Sequence, residues 1–218
     1  MKNSWYFFLL VILMTAAFAA IHYYTDFAYQ IHTMVLLVVL TCLSRQLVNL
    51  QHISVALLAI TAVEYVLIKY ILELSASGLP AYQGNGFIFG SHFIVDFVTL
   101  LFLKYRVSLS LRYIKHTSSN NWRSIYMTHA DPILYGIYFA FILVDLAAFG
   151  ENIIRNLEHF GVDESFAKQF WSWGLIYYNY EILKSILLSC VVTTILATIF
   201  VERQRPDTPD EELESEPK

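Results

Sequence analysis

Seven ionisable residues lie within the interior of long apolar stretches, away from their ends: Glu64, Lys69, His92, Asp96, Asp145, Glu181 and Lys184. A charged side chain is costly in hydrocarbon, so such residues face a helix-bundle interior or a wet cavity and mark proton or ion pathways. His92 and Asp96 are one helical turn apart and share a face. An imidazole beside a carboxylate is the material of a proton relay, because histidine titrates near neutral pH. With Glu64 the pair would also offer nitrogen and oxygen ligands to a divalent metal. The plainest use is a hydrogen-bonded contact that holds two helices together.

The other spacings point elsewhere. Glu181 and Lys184 stand at i,i+3, which permits an ion pair within one helix. Glu64 and Lys69 stand at i,i+5, a poor pairing distance, so each is expected to seek partners on other helices. Trp171, Trp173 and Tyr177 fit an interfacial aromatic belt, whereas Asn179 and Tyr180 lie deeper and fit it less well. Gly86 and Gly90 form GFIFG, a GxxxG spacing that lets two backbones approach closely, within the chain or in a homo-oligomer.

These groups need helices to position them. A helix crosses the hydrocarbon in about 20 apolar residues. Six stretches qualify: 5–22, 31–48, 53–74, 87–105, 133–149 and 174–201. The fold class expected is an all-α polytopic membrane protein, a bundle of about six transmembrane helices over residues 1–201. Asp131 and Pro132 suit the start of the fifth helix as cap and first-turn proline. Glu151 to Phe160, between Gly150 and Gly161, reads as a short interfacial helix with Ile153, Ile154, Leu157 and Phe160 on one face. Asp163 suits the cap of the segment after it. The loop from Ser75 to Asn85 is expected to fold back over one face of the bundle. Residues 1–19 also carry a signal-like pattern ending in Ala17-Phe18-Ala19, set against the reading of 5–22 as a plain first span.

Composition agrees with a bilayer as solvent. The 218-residue chain is 57% hydrophobic and 15% charged, against about 45–50% and about 25% in soluble domains. The net charge of −4 argues against nucleic acid as a partner. Cys42 and Cys190 lie in apolar stretches and give neither a disulfide framework nor a thiolate metal cage. No nucleotide-binding, HExxH or CxxC motif is present, and no cofactor is expected.

Lysine and arginine set the orientation. With the N-terminus inside and ends alternating, ten of the fourteen basic residues fall on the inner side. That bias follows the positive-inside rule and places both termini in the cytoplasm of an inner-membrane-like bilayer. The inner loop, residues 106–130, carries Arg106, Arg112, Lys115 and Arg123 interleaved with apolar residues. These four are expected to meet anionic lipid headgroups or a cytoplasmic protein partner. Residues 202–218 are rich in proline and acids and are expected to be a disordered acidic tail.

Three functions are consistent with this pattern. The first is a small transporter or channel subunit handling protons or cations through the seven-residue polar layer. The second is a non-transporting scaffold or sensor with a stress, envelope or defence role, recruiting a partner through the basic loop or the tail. The third is a membrane-embedded lipid-modifying enzyme using His22, His32, His92, Asp96 and Glu64. It ranks last because no serine nucleophile motif accompanies them.

Overall fold

A computed structural model describes residues 29–117 and 119–204, with isolated helical positions at 9, 12, 13, 16, 17 and 20. The expected first span and signal pattern therefore lie largely outside the described residues, and the tail beyond Gln204 wholly so. The described chain is all-helical. Its main helices are α1 (Tyr29–Leu43), α2 (Val48–Ala76), α3 (Ala81–Thr117), α4 (Ala130–Arg155), the single-turn α5 (Glu164–Ala167) and α6 (Leu175–Arg203). Four are long and apolar enough to cross a membrane: α2, α3, α4 and the helical run that ends at Arg203.

The expected count of six is not reached among these residues. The stretch 31–48 becomes α1, whose 15 residues span only about 22 Å at 1.5 Å each, less than the hydrocarbon. It gives way to a turn over 44–46, where the Leu47 amide returns to the Ser44 carbonyl at 2.8 Å. The Arg203 guanidinium donates to the Leu43 carbonyl at 2.6 Å. That charge supplies one of the acceptor-rich helix end's missing donors.

Three further expectations change. Residues 106–117 are not loop: α3 continues through them to Thr117, for 37 residues or about 55 Å. Residues 151–155 do not start an interfacial helix; they finish α4. A single 3-10 turn, Leu157–Phe160, follows and closes on Gly161 at a φ of 86°. Glu202 and Arg203 belong to α6, not to the tail. Asp163 does cap α5, accepting from the Ser165 amide at 3.1 Å and from its hydroxyl. These donors hold the Asp163 carboxyl below its ordinary value.

Neighbours in the chain pack side by side, and α6 returns to α1, so the bundle closes on itself. Burial is layered along the axis. One half holds an aliphatic core that includes Leu37, Leu50, Ile53, Leu100, Leu134, Phe141, Ile195 and Ile199. The other holds a small cluster of Phe89, Ala148 and Tyr180. The outer faces remain apolar, with Val66 at 66% and Ile94 at 61% exposure. An apolar exterior around a polar middle is stable in lipid and unfavourable in water.

Close helix approach occurs at Gly84, not in the GxxxG. A Cβ on Gly84 would lie 2.2 Å from the Ser75 hydroxyl across the α2–α3 turn. One on Gly86 would make ordinary contacts with Asn152 and Phe149, and one on Gly90 would meet nothing within 4 Å. Gly90→Ala should therefore leave the detergent melting temperature unchanged or raise it, since alanine favours helix by about 1 kcal/mol. Gly84→Val should lower it, because a branched side chain cannot be cleared by turning one hydroxyl. Equal melting temperatures for the two variants would refute this packing.

Candidate functional site

The polar layer forms where α2, α3, α4 and α6 meet. Glu64 on α2 and His92 on α3 lie 2.6 Å apart through His92 Nδ1. One helical turn further, Asp96 accepts from Lys184 of α6. The same ammonium reaches Asp145 Oδ1 of α4 at 3.2 Å. Tyr180, one turn before Lys184, donates its hydroxyl to Asp145 Oδ1 at 2.7 Å. Its ring centroid lies 5.7 Å from that of His92, so Tyr180 links the two halves of the cluster. The ammonium also stands 4.7 Å from the Phe141 ring centroid, an added cation–π attraction.

Spacing explains the convergence. His92 and Asp96 share one face of α3, and Tyr180 and Lys184 share one face of α6. Both helices run in the same direction through the layer, so His92 meets Tyr180 and, one turn further, Asp96 meets Lys184. Lys184 is 2% exposed and Asp145 0%; the Glu64 side chain, at 14%, is the least covered. Asp145 Oδ2 is buried without a hydrogen-bond partner among the described residues.

Of the seven residues anticipated, five come together: Glu64, His92, Asp96, Asp145 and Lys184. His92 and Asp96 do not bond each other; each takes a partner on another helix. Lys184 turns to Asp96 and Asp145 and not to Glu181 on its own helix. Lys69 and Glu181 sit at exposed positions. Both line a cavity of about 440 Å³ that is open to the outside and reaches His92 and Tyr180. Asn85 and Tyr177 bridge its wall from α3 to α6 at 2.5 Å. Among the described residues, no three His, Cys, Asp or Glu side chains could hold a metal ion, so His92, Asp96 and Glu64 do not form the divalent site their types allow. Asn179, one of the deeper belt residues, is exposed and donates to the Leu175 carbonyl of its own helix.

The opposite end of the bundle is sealed by a second polar cluster that sequence reasoning missed. Arg106, placed at the lipid or partner surface by its sequence, is 0% exposed. It forks onto both oxygens of Asp131, through Nε at 2.7 Å and through Nη2. It also donates to Asn49 Oδ1 at 2.9 Å and to the Tyr126 carbonyl at 2.8 Å. Asp131 lies inside the first turn of α4 and reaches back to the Thr128 amide at 2.6 Å and hydroxyl at 2.8 Å, so it is not the simple cap expected. Tyr126 donates to Glu202 of α6 at 2.5 Å. The sequence offers Arg106 for the surface and Asp131 for capping, and neither for this joint. Arg112, Lys115 and Arg123 do remain exposed.

The cavity end has its own missed contact. Glu151 accepts from the Ile176 and Tyr177 amides at 2.9 and 2.7 Å. A residue of α4 thus caps α6 and fixes the height of Tyr180 and Lys184. Arg155 packs between Tyr177 and Tyr178, 4.3 and 4.7 Å from their ring centroids.

The sealed end makes a direct prediction. Arg106→Leu or Asp131→Ala alone strands a buried partner and should cost about 3–5 kcal/mol. The double variant should cost clearly less than the sum of the two, read from detergent unfolding as a double-mutant cycle. Additive losses would show that the pair is not coupled. Comparisons of the chain with protein-family models, with curated proteins and with solved structures give no match.

Proposed function

We propose that this chain is a small membrane protein that takes up and releases protons at the Glu64–His92–Tyr180–Asp145–Lys184–Asp96 cluster, as a transporter or channel subunit. The observation that carries this reading is a charge imbalance in a buried place. Three carboxylates face one lysine and one histidine. With both bases protonated, one negative charge is still uncompensated, and Asp145 Oδ2 lacks a hydrogen-bond partner among the described residues. Buried charge of one sign is costly, and carboxylates this close do not all ionise cheaply. A proton shared within the cluster removes the excess.

A proton is favoured over a metal cation because the lysine ammonium already stands between Asp96 and Asp145 and no metal-holding group forms. Access supports the same reading. The cavity gives water an approach to His92, and Glu64, His92, Tyr180 and Asp145 give the proton successive stations. Below them lie the aliphatic core and the Arg106 cluster, so release on the other side requires these to rearrange. By the positive-inside rule the cavity faces outward and the Arg106 end faces the cytoplasm. The membrane is then a cell membrane with inner-membrane character, and the C-terminus is cytoplasmic.

The deciding experiment pairs stability with flux. Glu64→Gln, Asp96→Asn and Asp145→Asn keep the shape of each side chain and much of its hydrogen bonding. Each should retain a folded, monodisperse protein, yet lose proton flux in liposomes under a potassium diffusion potential by at least about tenfold, which is about 1.4 kcal/mol in barrier. Fully active amide variants would reject the cluster and move the reading to a scaffold that uses the exposed Arg112, Lys115 and Arg123. Orientation is checked separately: reporter fusions at Ser77 and Glu158 should read outside, and one at Ser118 inside. A cytoplasmic signal at Ser77 would invert the proposed access.

A further inference from the structure

The cavity that reaches His92 is larger than proton entry requires. A water molecule takes about 30 Å³ of liquid, whereas this space is about 440 Å³, within the range of small-molecule sites. Its wall has a definite chemistry. Tyr65, Phe89, Tyr177, Tyr178 and Tyr180 all line it, and the face of an aromatic ring attracts positive charge. Glu181 adds a carboxylate to the wall. Beyond the floor, Glu64, Asp96 and Asp145 outnumber the charges of Lys184 and His92. Ile68, Leu72, Ile88 and Ile182 fill the rest of the lining and favour apolar substituents over a hydrated ion.

Besides His92 at the floor, Lys69 is the opposing charge among the described lining residues. It is exposed, and its flexible stem lets the ammonium turn away to water or headgroups. We infer that the cavity binds an apolar organic cation, a quaternary ammonium or phosphonium with aromatic or alkyl substituents, and that this cation and the proton compete for the same excess negative charge. Binding is argued from the cavity alone; the competition rests on the proton reading above. The two together describe exchange of an organic cation against protons, with no covalent step.

The test uses the full chain in phosphatidylcholine nanodiscs, with empty nanodiscs as the partition control. Two probes of equal size and opposite charge are compared, tetraphenylphosphonium and tetraphenylborate. Saturable phosphonium binding at about one per chain is expected, with the borate at least about tenfold weaker, a difference of about 1.4 kcal/mol. Lowering the pH should weaken phosphonium binding as the cluster gains its proton. Glu181→Gln should weaken it and Lys69→Gln should tighten it; both positions are exposed, so neither change threatens the fold. Borate binding equal to the phosphonium, loss of phosphonium binding in Lys69→Gln, or affinity that ignores pH would each overturn the inference. Proton flux that persists in liposomes while phosphonium binding is absent would overturn it too, and would leave the proton reading intact. Saturable phosphonium binding in a protein without proton flux would overturn the competition, and with it the exchange.

Discussion

The ammonium of Lys184 between Asp96 and Asp145 is the interaction on which this bundle depends. It draws α3, α4 and α6 to one point in a medium that solvates none of them. An isolated lysine there would be prohibitive, and so would either aspartate alone. Together they are tolerable, and the tolerance fixes the rotation and height of three helices at once. Glu151 reinforces that height from α4 by capping the first turn of α6. Glu64 extends the constraint to α2 through His92.

The two polar clusters solve different problems. Around Arg106 each guanidinium nitrogen has an acceptor, and Asp131 is paired through both oxygens. Such a site is a closed joint; its value lies in specifying one arrangement of helix ends, since a buried ion pair adds little net stability over apolar packing. Around Lys184 three carboxylates face two bases, one oxygen lacks a hydrogen-bond partner among the described residues and a cavity leads in. An aliphatic layer separates the two, with Leu100, Leu103, Leu134 and Ile195 between them. The difference between a satisfied and an unsatisfied cluster is the physical ground for assigning work to one and structure to the other.

The outer surface follows from the same solvent. Most exposed positions on α2, α3 and α4 are apolar, and polar groups point inward or lie at helix ends. The long α3 is the exception, since about 55 Å exceeds any hydrocarbon layer. Its final turns carry exposed Arg112, Tyr113 and Lys115 beyond the buried Arg106. Lys115 and Arg123 both stand within 6 Å of the Trp122 ring centroid, so the basic residues gather around an aromatic anchor at that end.

The membrane class, the helical character of four spans and five of the ionisable residues that meet inside the bundle were legible in the sequence. Each follows from local composition: apolar runs of sufficient length must be helices in lipid, and a charge inside one must have a partner. The partners were not legible. His92 next to Asp96 and Glu181 next to Lys184 are the pairs that spacing offers, yet each group that bonds across the layer does so to another helix. Helix rotation and register, which no single helix encodes, decide which neighbours face each other. Arg106 shows the same limit most sharply. By sequence it is the first basic residue after an apolar span, indistinguishable from Arg112. Only the arrival of Asn49, Tyr126 and Asp131 from three other segments makes burial cheaper than exposure, and that is a property of the assembled bundle.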